Sequence, residues 1–563
     1  MNQKASFKIF KKLERGVELH KQNKLDAAEA LYEEVRAQEP KNADAWHLLG
    51  VIAMSRGQLD KAKSLIVKAI KLKPSDSAFF SNLGVVLKDQ GDYSAALTSF
   101  DHALKLQADY PEAFSNKGLA LEQLGRSEEA LAQYDRAIQI SPNYAAAYSN
   151  RGITLQTLER SEEALASFRQ AIALQPNFAD AWNNYAALLR RLRRYDESLR
   201  VYDRTLKLNP LNAKGFQGRG ELLTELGRTE EAFADFDRAL ALNPEYPDPI
   251  WARAFTYLSI GEFDKGWDLY DFRFNQSNRQ AGVLNTNRPR WQPNDTSSRL
   301  LLWAEQGVGD ELFFVQWLHG AAPLAREIIV AVDGRMASVY ERSFTKFKFI
   351  DKAKPISRDW YDCHLSLGSL PKALKDLGLD WLSARRIPYL VADETATARL
   401  AASLRRPGTR LCGLTWRSTR PELGKEKTVS FQELMPVLKL PGWTFVNLQY
   451  GDTAAELAAL QRDTGVDIVT HPEIDNMKDL NRHIDLVNAC DELVLSCNAT
   501  AHIAGTLGKR AHLLTPLGKS LIWYWANRQD KRSLWYPSIE IFDQDSSFSW
   551  AGVVEGIARS LPR

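Results

Sequence analysis

Cysteine is scarce in this chain: 563 residues contain four, Cys363, Cys412, Cys490 and Cys497, with no C-x-x-C pair. A chain of this length needs no disulfides to hold its core, so a reducing, cytoplasmic setting is expected. Long apolar runs are absent as well. No stretch of about 18 apolar residues occurs, and Met1 to Leu19 carries lysines at 4, 8, 11 and 12 without a continuous apolar segment, so neither a membrane span nor a secretion signal is expected. Nor does one sign of charge dominate. Seventy-three basic residues against seventy acidic ones leave +3, too little for a field that attracts nucleic acid or an anionic membrane. The remaining profile, 44% hydrophobic, 10% aromatic and 25% charged, is that of a soluble globular protein, and the length suits three or four domains at ~150 residues each.

The first half repeats. Glycine or alanine recurs every 34 residues at Gly16, Gly50, Gly84, Gly118, Gly152, Ala186, Gly220 and Ala254. A small residue follows twelve positions later (Ala28, Ala62, Ala96, Ala130, Ala164, Ser198, Ala232, Gly266), and a large one four further on (Tyr32, Ile66, Phe100, Tyr134, Phe168, Tyr202, Phe236, Tyr270). Proline closes most units, at Pro40, Pro74, Pro142, Pro176, Pro210 and Pro244. Small residues let paired helices approach closely, aromatics fill the space between units, and proline cannot continue a helix. This pattern resembles the tetratricopeptide repeat, with seven full units and a degenerate eighth over residues 9–275, implying a right-handed helical solenoid.

Within that frame Asn82, Asn116, Asn150 and Asn184 stand 34 apart, two residues before each glycine or alanine. An amide both donates and accepts, so a ladder of four on the concave side could pair with the backbone of an extended peptide whatever its side chains. The ladder resembles that of the O-GlcNAc transferase superhelix. The plainer reading is that asparagine decorates an exposed helix face. The basic run Arg190, Arg191, Arg193, Arg194 reads as a solvated face.

Residues 276–298 are rich in Asn, Arg, Pro, Ser and Thr and read as a linker. Beyond them short apolar runs alternate with amphipathic stretches. Strands are expected at 299–303, 327–332, 363–367, 410–416, 443–449, 492–496 and 510–514, with helices between and a final helix at about 548–560 packing back across two α/β domains. The segment LRRPGT at 404–409 separates the strand groups, so an N-terminal Rossmann-like domain at 299–405 and a C-terminal one at 406–563 are expected, facing a cleft.

Two polar turns stand out. The first, Trp303-Ala-Glu-Gln-Gly307-Val-Gly309-Asp310, follows a strand and opens a helix; Asp310 there has the plainer reading of a helix cap. It lacks the third glycine and following acid of a dinucleotide fingerprint. The second, Ser496-Cys-Asn498-Ala-Thr500-Ala-His502-Ile-Ala-Gly505, places amides and a hydroxyl at a helix start, where a phosphate oxygen fits. These segments, with Leu414-Thr-Trp416-Arg417, Phe445 to Gln449 and Trp535-Tyr-Pro-Ser538, resemble bacterial glycosyltransferases related to the lipopolysaccharide heptosyltransferases. The resemblance covers about 299–545.

What that resemblance implies is a GT-B fold with the nucleotide-sugar held mainly by the C-terminal domain. Asp310 would be the base on the acceptor hydroxyl, implying inversion at the anomeric carbon. The donor would be bound by Gly307, Gly309, Arg417, Lys427, Gln449, Asn498, Thr500, His502 and Gly505, with Asn498 standing where many relatives have Asp. Asp543-Gln-Asp545 comes too late in the chain to organise a metal-dependent GT-A fold, so metal-independent chemistry is expected, with no cofactor beyond the nucleotide-sugar co-substrate and cations neutralising the leaving phosphate. The two halves together resemble tetratricopeptide-linked protein O-glycosyltransferases, some of which modify flagellin in the bacterial cytoplasm. The expected partners are a protein acceptor such as flagellin in the solenoid and a UDP- or CMP-linked sugar, the nucleotide being left open, with no nucleic acid. Two alternatives stand beside this: a glycolipid or saccharide heptosyltransferase whose repeats serve assembly, and a non-enzymatic adaptor or export chaperone with a degenerate transferase domain.

Overall fold

A computed structural model of the chain describes residues 3–276, 283–418, 427–517, 522–545 and 547–562. Residues 277–282 of the expected linker lie outside them. The chain divides into two compact units, Met1–Leu222 and Leu223–Arg563.

The first unit is wholly helical. From Ala43–Ser55 and Leu59–Leu72 onward, helices of 13 and 14 residues alternate at the 34-residue period. Two observations explain the period. Gly16, Gly50, Gly84, Gly118 and Gly152 each face the large residue sixteen positions on: a Cβ at Gly84 would sit 2.6 Å from Phe100, at Gly118 2.7 Å from Tyr134, and at Gly152 2.6 Å from Phe168. The aromatic therefore fills a gap inside its own helix pair, not only the space between units, and the glycine is set by close approach. Second, the residue between the two helices of a unit takes positive φ, at Asn23, Gly57, Gly91, Gly125, Glu159, Arg193, Gly227 and Gly261, again 34 apart. This is the left-handed helix stop that glycine adopts most cheaply. At 23, 159 and 193 a side chain occupies it.

The second unit holds the last repeat helices, among them Pro247–Ser259 and Phe263–Tyr270, together with two sheets. The expected linker therefore lies inside this unit. The first sheet is parallel, in the order β3-β2-β1-β4, with β1 Arg299–Trp303, β2 Glu327–Val332, β3 Lys348–Asp351 and β4 Cys363–Ser366. The second is mixed and eight-stranded, in the order β10-β11-β12-β9-β8-β5-β6-β7. Its parallel strands are β5 Arg410–Leu414, β6 Trp443–Asn447, β7 Ile468–Val469, β8 Glu492–Ser496, β9 Ala511–Thr515 and β12 Ile539–Asp543. β10 Arg528–Gln529 and β11 Arg532–Ser533 pair antiparallel at one edge. Strands β6, β8 and β9 are buried at every residue, which is why their centres read as apolar rather than alternating, with polar residues confined to their first two and last positions.

The C-terminal helix Ala551–Ser560 differs from expectation. Its Val554 and Ile557 join Leu434, Val437 and Leu438 of helix Phe431–Leu438 in a core that belongs to the second sheet alone. In this unit aromatic rings tie the last repeat helix to the α/β part: Trp267 lies edge-on to Trp317, Trp381 and Trp523, with centroids 6.0, 5.8 and 5.4 Å away.

Candidate functional site

The glycine-rich turn leaves β1 and enters helix Val308–Val315, with Gly307 at its N-cap. Gly309 in the first turn lies against the second polar turn, where a Cβ would meet His502 Cδ2 at 3.3 Å and Ala499 Cα at 3.8 Å. The two motifs of the sequence, far apart along the chain, are thus in contact. Asp310 follows, its Oδ1 accepting from the Tyr524 hydroxyl at 3.2 Å. Behind it Glu311 is buried and accepts from Asp333 N at 2.9 Å, with Lys352 Nζ 3.3 Å away. Burial pushes the Glu311 carboxyl up to about 7 against the pull of Lys352. Lys352 also donates to Gln306 O at 3.0 Å, so one ammonium braces both ends of the turn.

On the other side, Asn498 caps helix Ala499–Thr506, its Oδ1 accepting from Thr500 N at 3.0 Å. Its amide lies 3.2 Å from Ser496 Oγ. Thr500 Oγ1 is 3.1 Å from His483 Nε2, and His483 Nδ1 is 3.0 Å from Asn476 Oδ1. Asn476 in turn donates to Asn447 O and Gln449 O at 3.1 Å each. His502 Nδ1 lies 3.0 Å from the Tyr536 hydroxyl, and burial, with Lys427 nearby, lowers its pKa to about 3. His502 is therefore a neutral imidazole. Gly505 lets this helix approach Tyr536, whose Cγ would be 2.3 Å from a Cβ there.

Between the two turns lies a cavity of about 350 Å³. Of the residues expected from sequence, Gly307, Gly309, Asp310, Lys427, Asn498, Thr500 and His502 line it. Three others stand behind it. Gln449 Oε1 accepts from Trp416 N and Arg417 N at 3.1 and 3.0 Å, the Arg417 guanidinium bridges Glu456 Oε1 at 3.0 Å, and Gly505 packs on Tyr536. They shape the wall without lining it. Sequence reasoning missed Arg335, Tyr450, Asn476, His483, Tyr524 and Trp525. Tyr524 and Trp525 carry a sequence signal in the aromatic cluster Trp523-Tyr-Trp525, but Arg335 and Asn476 sit in turns with no motif of their own. Arg335 donates to Met477 O at 2.6 Å while pairing with Asp333, linking a turn after β2 to one beyond β7. Cys497 also lines the cavity, yet burial raises its thiol to about 12, so it is no nucleophile at neutral pH.

The arrangement is a carboxylate held by a phenol on one wall, and a buried lysine, a capped helix start and a neutral imidazole on the other. It can take an anion against the second wall and a hydroxyl against the first. Asp543 and Asp545 are used elsewhere. Asp543 accepts from Thr515 Oγ1 at 2.7 Å and pairs with Arg528, while Asp545 caps its own turn through Ser547 N and Ser549 N at 2.9 Å each.

In the first unit Asn82, Asn116, Asn150 and Asn184 are all half-buried at equivalent helix positions. Asn82 is engaged by His47 Nε2 at 2.8 Å. The basic run is paired: Arg190 with Glu221 at 2.6 Å and Arg194 with Glu197 at 2.6 Å.

Tetratricopeptide-repeat family models match residues 19–81, 81–145, 150–213 and 186–247, so repeats of this kind run across 19–247. Protein FlbA of Caulobacter vibrioides is 28% identical over 330 residues, 55% of this chain and 54% of the relative, so the chain spans about half the length of that curated relative. Among solved structures, PilF of Pseudomonas aeruginosa aligns at 22% identity over 37% of this chain and 94% of its own, with a TM-score of 0.33. YrrB, described as a TPR protein with an unusual peptide-binding site, aligns at 22% identity over 33% of this chain and 97% of its own, with a TM-score of 0.28. Among the described residues no helix is long and apolar enough to cross a membrane.

Proposed function

We propose that this protein is a glycosyltransferase of GT-B type that moves a sugar from a UDP- or CMP-linked donor to a Ser or Thr of a protein held by its repeats, flagellin being the candidate acceptor. The observation that carries the reading is that Asp310 and the Asn498–His502 turn, together with Lys427, line one cavity. In this reading Asp310 takes the proton of the acceptor hydroxyl as its oxygen attacks the anomeric carbon. The bond from that carbon to the donor phosphate oxygen breaks, with inversion, and the departing phosphate is met by the Lys427 ammonium and the start of helix Ala499–Thr506. Tyr524 orients the Asp310 carboxylate. His502, being neutral, offers packing and a hydrogen bond rather than charge.

The test is intact-mass spectrometry of candidate acceptor proteins, flagellin first, incubated with the full chain and a panel of UDP- and CMP-sugars. One sugar mass should appear on one protein with one donor class, and Asp310→Ala should lower that transfer by ~10²–10⁴-fold with donor binding retained. A folded Asp310→Ala protein keeping more than about a tenth of the rate would remove Asp310 from the base role. Absence of any sugar mass across the panel would leave the repeats' protein-binding role as the function.

A further inference from the structure

A regular ion-pair ladder in the repeats has one broken rung. Lys117 bridges Asp101 at 2.7 Å, Arg151 bridges Asp135 at 2.6 Å, Arg219 bridges Asp203 at 2.6 Å, and Arg253 bridges Asp237. In each rung a cation on the first helix of a repeat reaches a carboxylate sixteen residues earlier, on the second helix of the preceding repeat. The rung at 185 and 169 has lost both members: Tyr185 stands in place of the cation and Arg169 in place of the acid.

The consequence is an excess of positive charge at a built pocket. Arg169 Nε donates to the Tyr185 hydroxyl at 2.8 Å, and its guanidinium lies 5.7 Å from that ring's centroid. One repeat on, the Arg204 guanidinium lies 5.4 Å from the ring of the buried Trp182. The two arginines and two rings surround an open pocket of about 290 Å³ with Ile172 and Pro176 among its apolar walls. Both arginines are exposed, and among the described residues no carboxylate bridges either one.

We propose that this broken rung is a carboxylate site, occupied by a glutamate side chain of an acidic segment in a protein bound to the repeats. A guanidinium presents a planar fork that matches a carboxylate, and stacking on an aromatic ring sets that fork in advance, so little side-chain freedom is lost on binding. The apolar walls accept the methylenes of a glutamate. Two cations and a net chain charge of +3 are too few to track a polyanionic backbone, which favours an acidic peptide over nucleic acid. The site is independent of the cavity at Asp310 and of the transfer reaction.

The test is fluorescence anisotropy of a labelled hexaglutamate peptide against the full chain. Saturable binding is expected, with hexaglutamine at least about tenfold weaker. The paired exchange Arg169→Asp with Tyr185→Arg rebuilds the missing rung, so it should keep the melting temperature and lose about tenfold or more in hexaglutamate affinity. Arg204→Gln, on an exposed face, asks the same question by a change that leaves the helix packing alone. Wild-type affinity in both variants, no hexaglutamate binding by the wild type, or displacement of the peptide by oligothymidylate at lower concentration than by unlabelled hexaglutamate would each overturn the assignment.

Discussion

Gly309 and His502 touch: a Cβ on the glycine would stand 3.3 Å from His502 Cδ2. This contact joins the turn after the first strand of one sheet to the helix start beyond β8 of the other, and the cavity opens beside it. The added methyl of Gly309→Ala needs a shift of a few tenths of an ångström. Gly309→Val should overpack the contact, costing about 1–3 kcal/mol and lowering the melting temperature, while Ala costs less. In calorimetry with UDP- and CMP-sugars the Val protein should bind worse than the Ala protein. A Val variant with wild-type melting and binding would mean the two turns separate freely.

Glu311 makes stability depend on pH with a definite sign. Burial raises its carboxyl from an ordinary 4.5 to about 7, so the folded state holds a proton that the unfolded chain releases earlier. Its contribution is fully present below about 4.5 and is lost as pH rises through 7. Glu311→Gln should flatten the fall in melting temperature across that window while retaining the acceptor for Asp333 N. Parallel wild-type and Gln profiles would show that Lys352 keeps the carboxylate ionised in the folded state.

His502 titrates far from neutrality. Its pKa is lowered to about 3 by burial and by Lys427, so the neutral ring's contribution is present above about 6.5 and diminishes as pH falls below it. Its imidazole resonances should show no protonation between pH 5 and 8. A midpoint near 6.5 would place the ring in solvent rather than beneath Tyr524 and Tyr536.

Arg273 is fully buried and reaches Glu305 Oε1 at 2.7 Å, Ser366 Oγ at 2.6 Å and Asp271 Oδ1 at 2.9 Å. Arg273→Met leaves the Glu305 carboxylate without its buried partner and should cost about 3–5 kcal/mol, with Arg273→Met combined with Glu305→Gln less damaging than the single change. Thermal or urea unfolding decides it. A double-variant loss equal to the sum of the losses from Arg273→Met and Glu305→Gln alone would show that the two residues act separately.

The asparagine ladder is tested as a set. Each amide on the half-buried face should contribute about 0.5–1.5 kcal/mol to peptide binding, so changing Asn82, Asn116, Asn150 and Asn184 together to alanine should remove most acceptor binding and leave nucleotide-sugar binding intact. Unimpaired acceptor binding would make the ladder a structural feature of the helices. Since His47 already engages Asn82, that position should matter least of the four.

The repeats were legible because their physics is local. A glycine sixteen residues before an aromatic, and a left-handed stop every 34 residues, are packing and backbone conditions met within one helix pair, so they recur in the sequence at a fixed period. The buried strands were legible for a similar reason: a strand covered on both faces carries an apolar centre, as Leu493-Val-Leu of β8 and Leu513-Leu of β9 do, while their buried Glu492 and His512 pair with each other. Short or exposed strands such as β7 and β10 carry no such signal, and β3, KFID, offers too little pattern.

The sequence by itself determined the repeat architecture, the alternating strands and helices that follow, and the two polar turns that form the walls of the cavity. Tertiary structure alone decided that these walls meet through Gly309 and His502, that Tyr524 and Arg335 complete them, and that Arg417 and Gln449 stand behind. Each of those relations joins residues on different strands or turns, and its energy comes from burial and hydrogen bonds that exist only once the sheets have packed. The broken rung at Arg169 and Tyr185 lies between the two cases: the sixteen-residue spacing is in the sequence, but its meaning as an ion pair appears only when the helices of neighbouring repeats lie side by side.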